Sequence, residues 1–158
     1  MIHATAIIGP NVHFGAYVKV WSNAVVGFGC QIGDYVVIGA NAYVGNESVI
    51  GEGSRLQTGV FLPNGSRLGK RVFLGPNVTA ADDKYPRVGN IDYTAEPPIF
   101  EDDCSVGAGA VILPGITIGH HAMVGAGSVV SHDVEPYAVV TGLAAKMTRI
   151  LPQAREGT

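Results

Sequence analysis

The chain is poor in charge and poor in cysteine, and it has no block of lysine and arginine. Only 15% of its 158 residues are charged, with a formal net charge of −3. That leaves no electrostatic footprint for nucleic acid or for an anionic membrane, and neither partner is expected. Long apolar runs are missing too, since no stretch approaches the roughly 20 residues that span a bilayer. The first residues, Met1-Ile2-His3-Ala4-Thr5-Ala6, lack the basic start and apolar run of a signal peptide. These absences predict a cytoplasmic protein. The two cysteines, Cys30 and Cys104, have no metal-type spacing, and a reducing compartment disfavours a disulfide between them.

Glycine, by contrast, is abundant: 22 residues, about twice the usual share. The glycines follow neither the three-residue period of collagen nor the Ser/Gln bias of a disordered tract, so a regular structure uses them. With 47% hydrophobic residues and the length of one ordinary domain, residues 1–158 are expected to form a single packed unit.

The regularity is a repeat of six. Cutting the chain into sixes from Ile2 to Thr79 gives thirteen units that begin with Ile2, Ile8, Phe14, Val20, Val26, Ile32, Ile38, Val44, Ile50, Leu56, Leu62, Leu68 and Leu74, all bulky and apolar. The second position is glycine in nine units, and the fifth holds only Ala, Ser, Cys or Val. The fourth is Asn or Gly in eight, as suits a turn residue with positive φ. A helix needs apolar residues every three or four positions and a half-buried strand every two; a strict six fits neither. It predicts a coil of short parallel strands separated by corners, with successive coils stacked at about 4.8 Å. First-position side chains then form an internal aliphatic ladder, and the small fifth-position residues, Cys30 and Cys104 among them, lie beside it. The period lapses at Ala80 and resumes at Phe100, continuing through Val106, Ile112, Ile118, Val124 and Val130. The polar, proline-bearing interval 80–99 is therefore expected to be a loop extruded between repeats 2–79 and 100–135, with a tail over 136–158. Such loops on a regular scaffold commonly carry function.

Thirteen plus six units of [aliphatic]-Gly-x-x-[small]-x with one extruded loop resemble the hexapeptide-repeat acyltransferases. The resemblance implies an all-β fold: a left-handed parallel β-helix of triangular section with three units to a turn, an exception to the right-handed crossover rule. With three units to a turn, residues eighteen apart stack, and the outward sixth positions form three columns. These are Ile7, Val25, Tyr43 and Phe61; His13, Gln31, Val49 and Arg67; and Lys19, Val37, Arg55 and Phe73. Only the first is wholly apolar. A partner subunit is expected to cover it, in a homotrimer, although scattered surface hydrophobics are also common.

Two segments narrow the resemblance. Gly75-Pro76-Asn77-Val78-Thr79-Ala80-Ala81-Asp82-Asp83-Lys84-Tyr85-Pro86-Arg87 is similar to a stretch of the sugar-nucleotide 3-amino N-acetyltransferases that usually reads Gly-Pro-Asn-Val-x-Phe-x-Asn-Asp-x-x-Pro-Arg. Ala80 replaces the Phe and Asp82 the first Asn of the Asn-Asp pair. Ile118-Gly119-His120-His121-Ala122-Met123-Val124-Gly125-Ala126-Gly127-Ser128 and its continuation to Tyr137 resemble the family's C-terminal signature. Gly142-Leu143-Ala144-Ala145-Lys146 stands where Gly-Asn-Pro-Ala-Lys is usual. A short helix is expected from Ala144 to about Ala154.

The resemblance implies acetyl-CoA lying along the coils at a subunit boundary and an amine acceptor on a UDP- or dTDP-linked 3-amino sugar. Gly107, Ala108, Gly125 and Ala126 would let the thin pantetheine arm approach the backbone, though as repeat corners they have a purely structural explanation as well. Lys146 and Arg149 would reach the CoA phosphates, or serve as ordinary solvated groups. Amine acetylation needs a neutral nitrogen near the thioester carbonyl. A carboxylate that takes or orients the ammonium proton would help, and Asp82 and Asp83 are the loop's candidates, although adjacent aspartates also start turns. Asn77, Tyr85 and Arg87 are the candidate acceptor contacts, Arg87 toward a diphosphate or carboxylate; each has an alternative role in pinning the corner or the loop.

O-acetyltransferases of this fold use a loop histidine, and this loop has none, which disfavours a hydroxyl acceptor. His120 and His121 fall at outward positions and read as surface histidines. Two other functions stay open. A hexapeptide-repeat carbonic-anhydrase-like metalloenzyme needs three histidines at a spacing that His3, His13, His120, His121 and His132 do not present, so no metal is expected. A non-catalytic trimeric scaffold has no need for an Asp-Asp-Lys-Tyr-Pro-Arg loop.

Overall fold

The computed structural model describes residues 1–150, and they contain strands and turns but no helix. Three parallel sheets wind around one core. On the first face Ile7 pairs with Val25, Val25 with Tyr43 and Tyr43 with Phe61. His13, Gln31, Val49 and Arg67 pair in the same way on the second, and Lys19, Val37, Arg55 and Phe73 on the third. The eighteen-residue circuit expected from the outward columns is thus the register of the fold, a parallel β-helix of hexapeptide repeats.

The interior follows from the six-residue phase. First-position residues from Val20 to Val130 are buried, and the fifth-position residues stand buried beside them. Cys30 and Cys104 are both free and fully enclosed. Burial pushes both thiols up, that of Cys104 to about 12, so neither is poised as a nucleophile. Four buried serines take fifth positions without leaving a polar atom unpaired: Ser48 and Ser66 Oγ donate to the carbonyls of Gly45 and Pro63, each at 2.7 Å. At the fourth position Asn11, Asn23, Asn41 and Asn77 hold φ near +56°. Tyr17, Tyr35, Glu47 and Arg71 adopt the same left-handed conformation, at a cost of roughly 1–2 kcal/mol each. The ladder of stacked coils imposes that corner on whichever residue falls there.

Two expectations are corrected. Thr79–Ala80 and Ile99–Phe100 are strands of the first and second faces, so the loop comprises 81–98, two residues shorter than the period predicts. Ala80 is a fully buried ladder residue, its small size concealing it from a search for bulky first positions. Across the loop the pairing partner is thirty-two residues on, as in Thr79 with Val111 and Arg67 with Ile99, and the extra fourteen residues leave the stack undisturbed.

The expected C-terminal helix is absent over its described part. Lys146–Ile150 is instead a strand antiparallel to Ala138–Thr141, and 151–154 lie outside the described residues. Ala138–Thr141 ends the third face and presents an unpaired sheet edge. Gly142 (φ 104°) and Ala144 (φ 58°) reverse the chain so that it covers that edge, with Thr148 Oγ1 donating to Val139 O at 3.0 Å. Pairing satisfies backbone groups that a helix would have left open.

Candidate functional site

The loop grows out of the corner that follows the first face. At this corner four fourth-position N–H groups donate to the third-position carbonyl one coil earlier: Gly29 to Pro10, Glu47 to Phe28, Gly65 to Asn46 and Gly115 to Glu96. Asp82 begins the same turn and Glu96 completes it. Glu96 N–H donates to Asp82 O at 2.9 Å, closing the neck of the insertion. The Asp82 side chain is held as well, because the Tyr93 hydroxyl donates to its Oδ2 at 2.7 Å. That hydrogen bond, then desolvation and the charges of Asp82 and Asp83, push the Tyr93 phenol up to about 12. Asp83 Oδ1 accepts the Tyr85 N–H at 2.9 Å, a turn of the kind two neighbouring aspartates favour.

Asp82, Asp83, Arg87, Gly89, Asn90 and Tyr93 line one polar cup of about 390 Å³. Three of the residues singled out from the sequence, Asp82, Asp83 and Arg87, are therefore brought together. Tyr85 is exposed and lies outside the cup. Asn90 and Tyr93 also line it, although no motif in the sequence marks them: Tyr93 is a hydroxyl-bearing aromatic in a polar loop, and eleven positions of irregular chain separate it from its partner. A second hollow, of about 550 Å³, lies between the loop and the next coil, with Asp83, Lys84 and Glu96 on one side and Leu113 and Ile116 on the other.

The corner that follows the third face holds the remaining candidates. Its fourth-position N–H groups tie coil to coil, Asn77 to Thr58 O, Gly109 to Pro76 O and Gly127 to Ala108 O at 2.8–2.9 Å. Its third-position residues are small: Ser22, Ala40, Thr58, Pro76, Ala108 and Ala126. At the loop corner and at the corner after the second face, some third-position N–H groups are capped by side chains from the next coil, as Phe28 is by Asn46, Ala16 by Asp34 and Lys70 by Asp102, while those of Asp34, Glu52, Asn64 and Asp102 have no partner among the described residues. The N–H groups of Ala108 and Ala126 have no partner among the described residues, and both residues are exposed. Two free donors thus stand one coil apart, about 4.8 Å, on a ridge of small residues.

Gly107 and Gly125 serve the stack itself. A Cβ on Gly107 would collide with the Ala126 backbone, and one on Gly125 would lie 2.7 Å from Thr141 Cγ2. Asn77 is exposed on the same ridge. Lys146 pairs with Thr141 at the ridge's end, next to Gly142, whose carbonyl accepts the Val129 N–H. The Arg149 backbone pairs with Val139 on the third face.

The ridge and the loop flank one surface. Asn77 and Asp82 are five residues apart, at most about 17 Å of extended chain, and the strand between them belongs to the first face. That face carries Thr79, Val111 and Val129 beyond Tyr43 and Phe61, whose rings stack at 5.2 Å. The candidate site is thus a strip of mostly apolar sheet flanked by the ridge with its open backbone donors and by the corner from which the loop and its carboxylate-lined cup extend.

His120 and His121 lie away from this strip, at the corner after the second face, packed on Tyr137, with the ring of His121 stacked on it at 4.8 Å. Among the described residues, no group of three or more His, Cys, Asp or Glu is placed to hold a metal ion.

The bacterial transferase hexapeptide family (six repeats) matches residues 14–46, 29–64 and 97–132. A 2,3,4,5-tetrahydropyridine-2,6-dicarboxylate N-acetyltransferase of Staphylococcus aureus is 41% identical over 88 residues, 56% of this chain and 33% of that one. The chain spans less than half the length of the curated relatives it matches. Among solved structures, PerB of Caulobacter crescentus, crystallised with CoA and GDP-perosamine, superposes with a TM-score of 0.51 at 26% identity, over 94% of this chain and 56% of PerB. LpxA of Acinetobacter baumannii shares the fold, with a TM-score of 0.68 at 21% identity, over 94% of this chain and 74% of LpxA.

Proposed function

The chain belongs to the bacterial transferase hexapeptide family, matched over more than half its length, and from that membership we propose that it is an acetyl-CoA-dependent N-acetyltransferase acting on a UDP- or dTDP-linked 3-amino sugar. The observation that carries the reading is the pairing of two unlike walls across the first face. On one, the free N–H groups of Ala108 and Ala126 stand on a ridge of small residues, which suits the amide-bearing pantetheine arm. On the other, Asp82 and Asp83 line a cup with Arg87, which suits an ammonium next to an anionic group. PerB, whose structure holds CoA and a nucleotide-linked amino sugar, supports the substrate class.

In the proposed reaction the acceptor nitrogen attacks the thioester carbonyl; the C–N bond forms, the C–S bond breaks, and the thiol leaves. Asp82 or Asp83 takes or orients the first ammonium proton, which passes to solvent and frees the nitrogen lone pair, and the second proton, shed by the nitrogen as the amide forms, goes to the departing sulfur. Lys146 and Arg149 meet the CoA phosphates, and Asn77 and Tyr85 contact the acceptor. The apolar column of Ile7, Val25, Tyr43 and Phe61, with exposed Val88 and Ile91 at the loop tip, supports a homotrimer whose subunits close the strip. We place the enzyme in the cytoplasm; no helix among the described residues is long and apolar enough to cross a membrane.

The test is thiol release from acetyl-CoA against a panel of UDP- and dTDP-linked amino sugars. Release is expected with a 3-amino sugar, falling about 100-fold in Asp82→Ala with the melting temperature unchanged. No release with any acceptor would sink the reading, and unaltered kinetics in the variant would remove Asp82 from the site.

A further inference from the structure

We propose that Tyr93 is a positioning residue for Asp82: it fastens one carboxylate oxygen so that the other is presented to the acceptor amine. The inference rests on the acetyl-transfer reading and adds a residue to that site.

Asp82 is held at two points, both from the returning limb of the loop. Its carbonyl accepts the Glu96 N–H at 2.9 Å, and its Oδ2 accepts the Tyr93 hydroxyl at 2.7 Å. Oδ1 has no partner among the described residues. A carboxylate on a loop samples several rotamers unless something removes that freedom, and a reacting group displaced by about 1 Å loses rate by roughly 100-fold. The coils do not supply the restraint here, because Asp82 lies two residues past Ala80, the last strand residue before the loop. Tyr93 does, from within the same cup. The direction of the hydrogen bond also matters. A phenol held up at about 12 remains a donor across the neutral range, so it keeps Oδ2 engaged without competing for the substrate's proton.

Tyr93 is half exposed, so its ring contributes little to a core, and Tyr93→Phe removes the hydroxyl while keeping the ring. Acting through Asp82, it should show a kinetic signature that a merely structural tyrosine lacks. In thiol release from acetyl-CoA with a UDP- or dTDP-linked 3-amino sugar, Tyr93→Phe is expected to lower kcat about tenfold, with KM for acetyl-CoA unchanged. In an Asp82→Ala background the same change should cost less than about twofold, because the group it positions is gone. Equal losses in both backgrounds would overturn the assignment while leaving the acetyl-transfer reading intact. Absence of thiol release by the wild type would overturn both.

Tyrosinate absorbance supplies a readout independent of turnover. One tyrosine should titrate at about 12 in the wild type and return toward about 10 in Asp82→Ala. A titration that the substitution leaves unchanged would show that the two side chains do not meet, and would also overturn the assignment.

Discussion

The coils and the loop they extrude are built from the same chain but held by different forces. In the coils each strand is hydrogen-bonded to its stacked neighbours, the ladder residues are buried, and even buried serines are satisfied. Within loop 81–98 only Asn90 N–H to Arg87 O and Glu96 N–H to Asp82 O join backbone to backbone among the described residues. Side chains do most of the remaining fastening there, and Val88 and Ile91 are fully exposed. Stability therefore resides in the coils, and the cup of charged groups is displayed on a segment whose alteration leaves the coils standing.

The contrast is broken most forcefully at Phe100, the largest fully buried side chain and the first ladder residue after the loop. Phe100→Ala is expected to destabilise the protein by about 3–5 kcal/mol, measured by urea or thermal unfolding; a loss below about 1 kcal/mol would mean that the ladder is not the source of stability. A smaller loss is expected from Ser54→Ala. Ser54 Oγ donates to Gly69 O and accepts the Val72 N–H, both at 3.0 Å, so the change strands a buried N–H at a cost of about 1–3 kcal/mol.

The surface of the coils should respond weakly and with a definite sign. The Arg71 guanidinium, bonded to Asp103 at 2.6 and 2.7 Å, holds the Asp103 carboxyl below its ordinary value despite some desolvation. The resulting stabilisation is present above the unfolded value near pH 3.9 and is lost as pH falls through the folded one. Arg71→Ala should accordingly melt slightly below wild type at neutral pH, with the gap closing under acid; a gap that widened would contradict this. The smallest effect belongs to the loop tip, where Val88→Ser with Ile91→Ser should leave protomer unfolding within about 0.5 kcal/mol of wild type. A large drop in unfolding free energy would show that the loop is part of the core.

Much of the fold was legible before any coordinates. Thirteen bulky residues at a strict spacing of six announced the ladder, and the eighteen-residue columns are the observed register. The misreadings fall where the phase is interrupted. Ala80 does not stand out as a ladder residue because its side chain is only a methyl group, and residues 144–150 read as helix because nothing local reveals that Ala138–Thr141 leaves an open edge. Within the site, Asp82, Asp83 and Arg87 stood out by motif. Tyr93 did not, since its importance lies in a contact across eleven irregular positions.

The repeat by itself determined the spacing of the coil strands and which side chains turn inward, because a residue's polarity at a fixed phase is enough to decide whether it is buried; the family resemblance added that three units complete a turn, so that residues eighteen apart stack. Only the tertiary structure decided that the ridge N–H groups of Ala108 and Ala126 stay open while those of Ala16, Phe28 and Lys70 are capped, that the tail closes the edge as a strand, and that Tyr93 holds Asp82. Those outcomes depend on which segments meet after winding, and an irregular segment carries no period from which that meeting can be read.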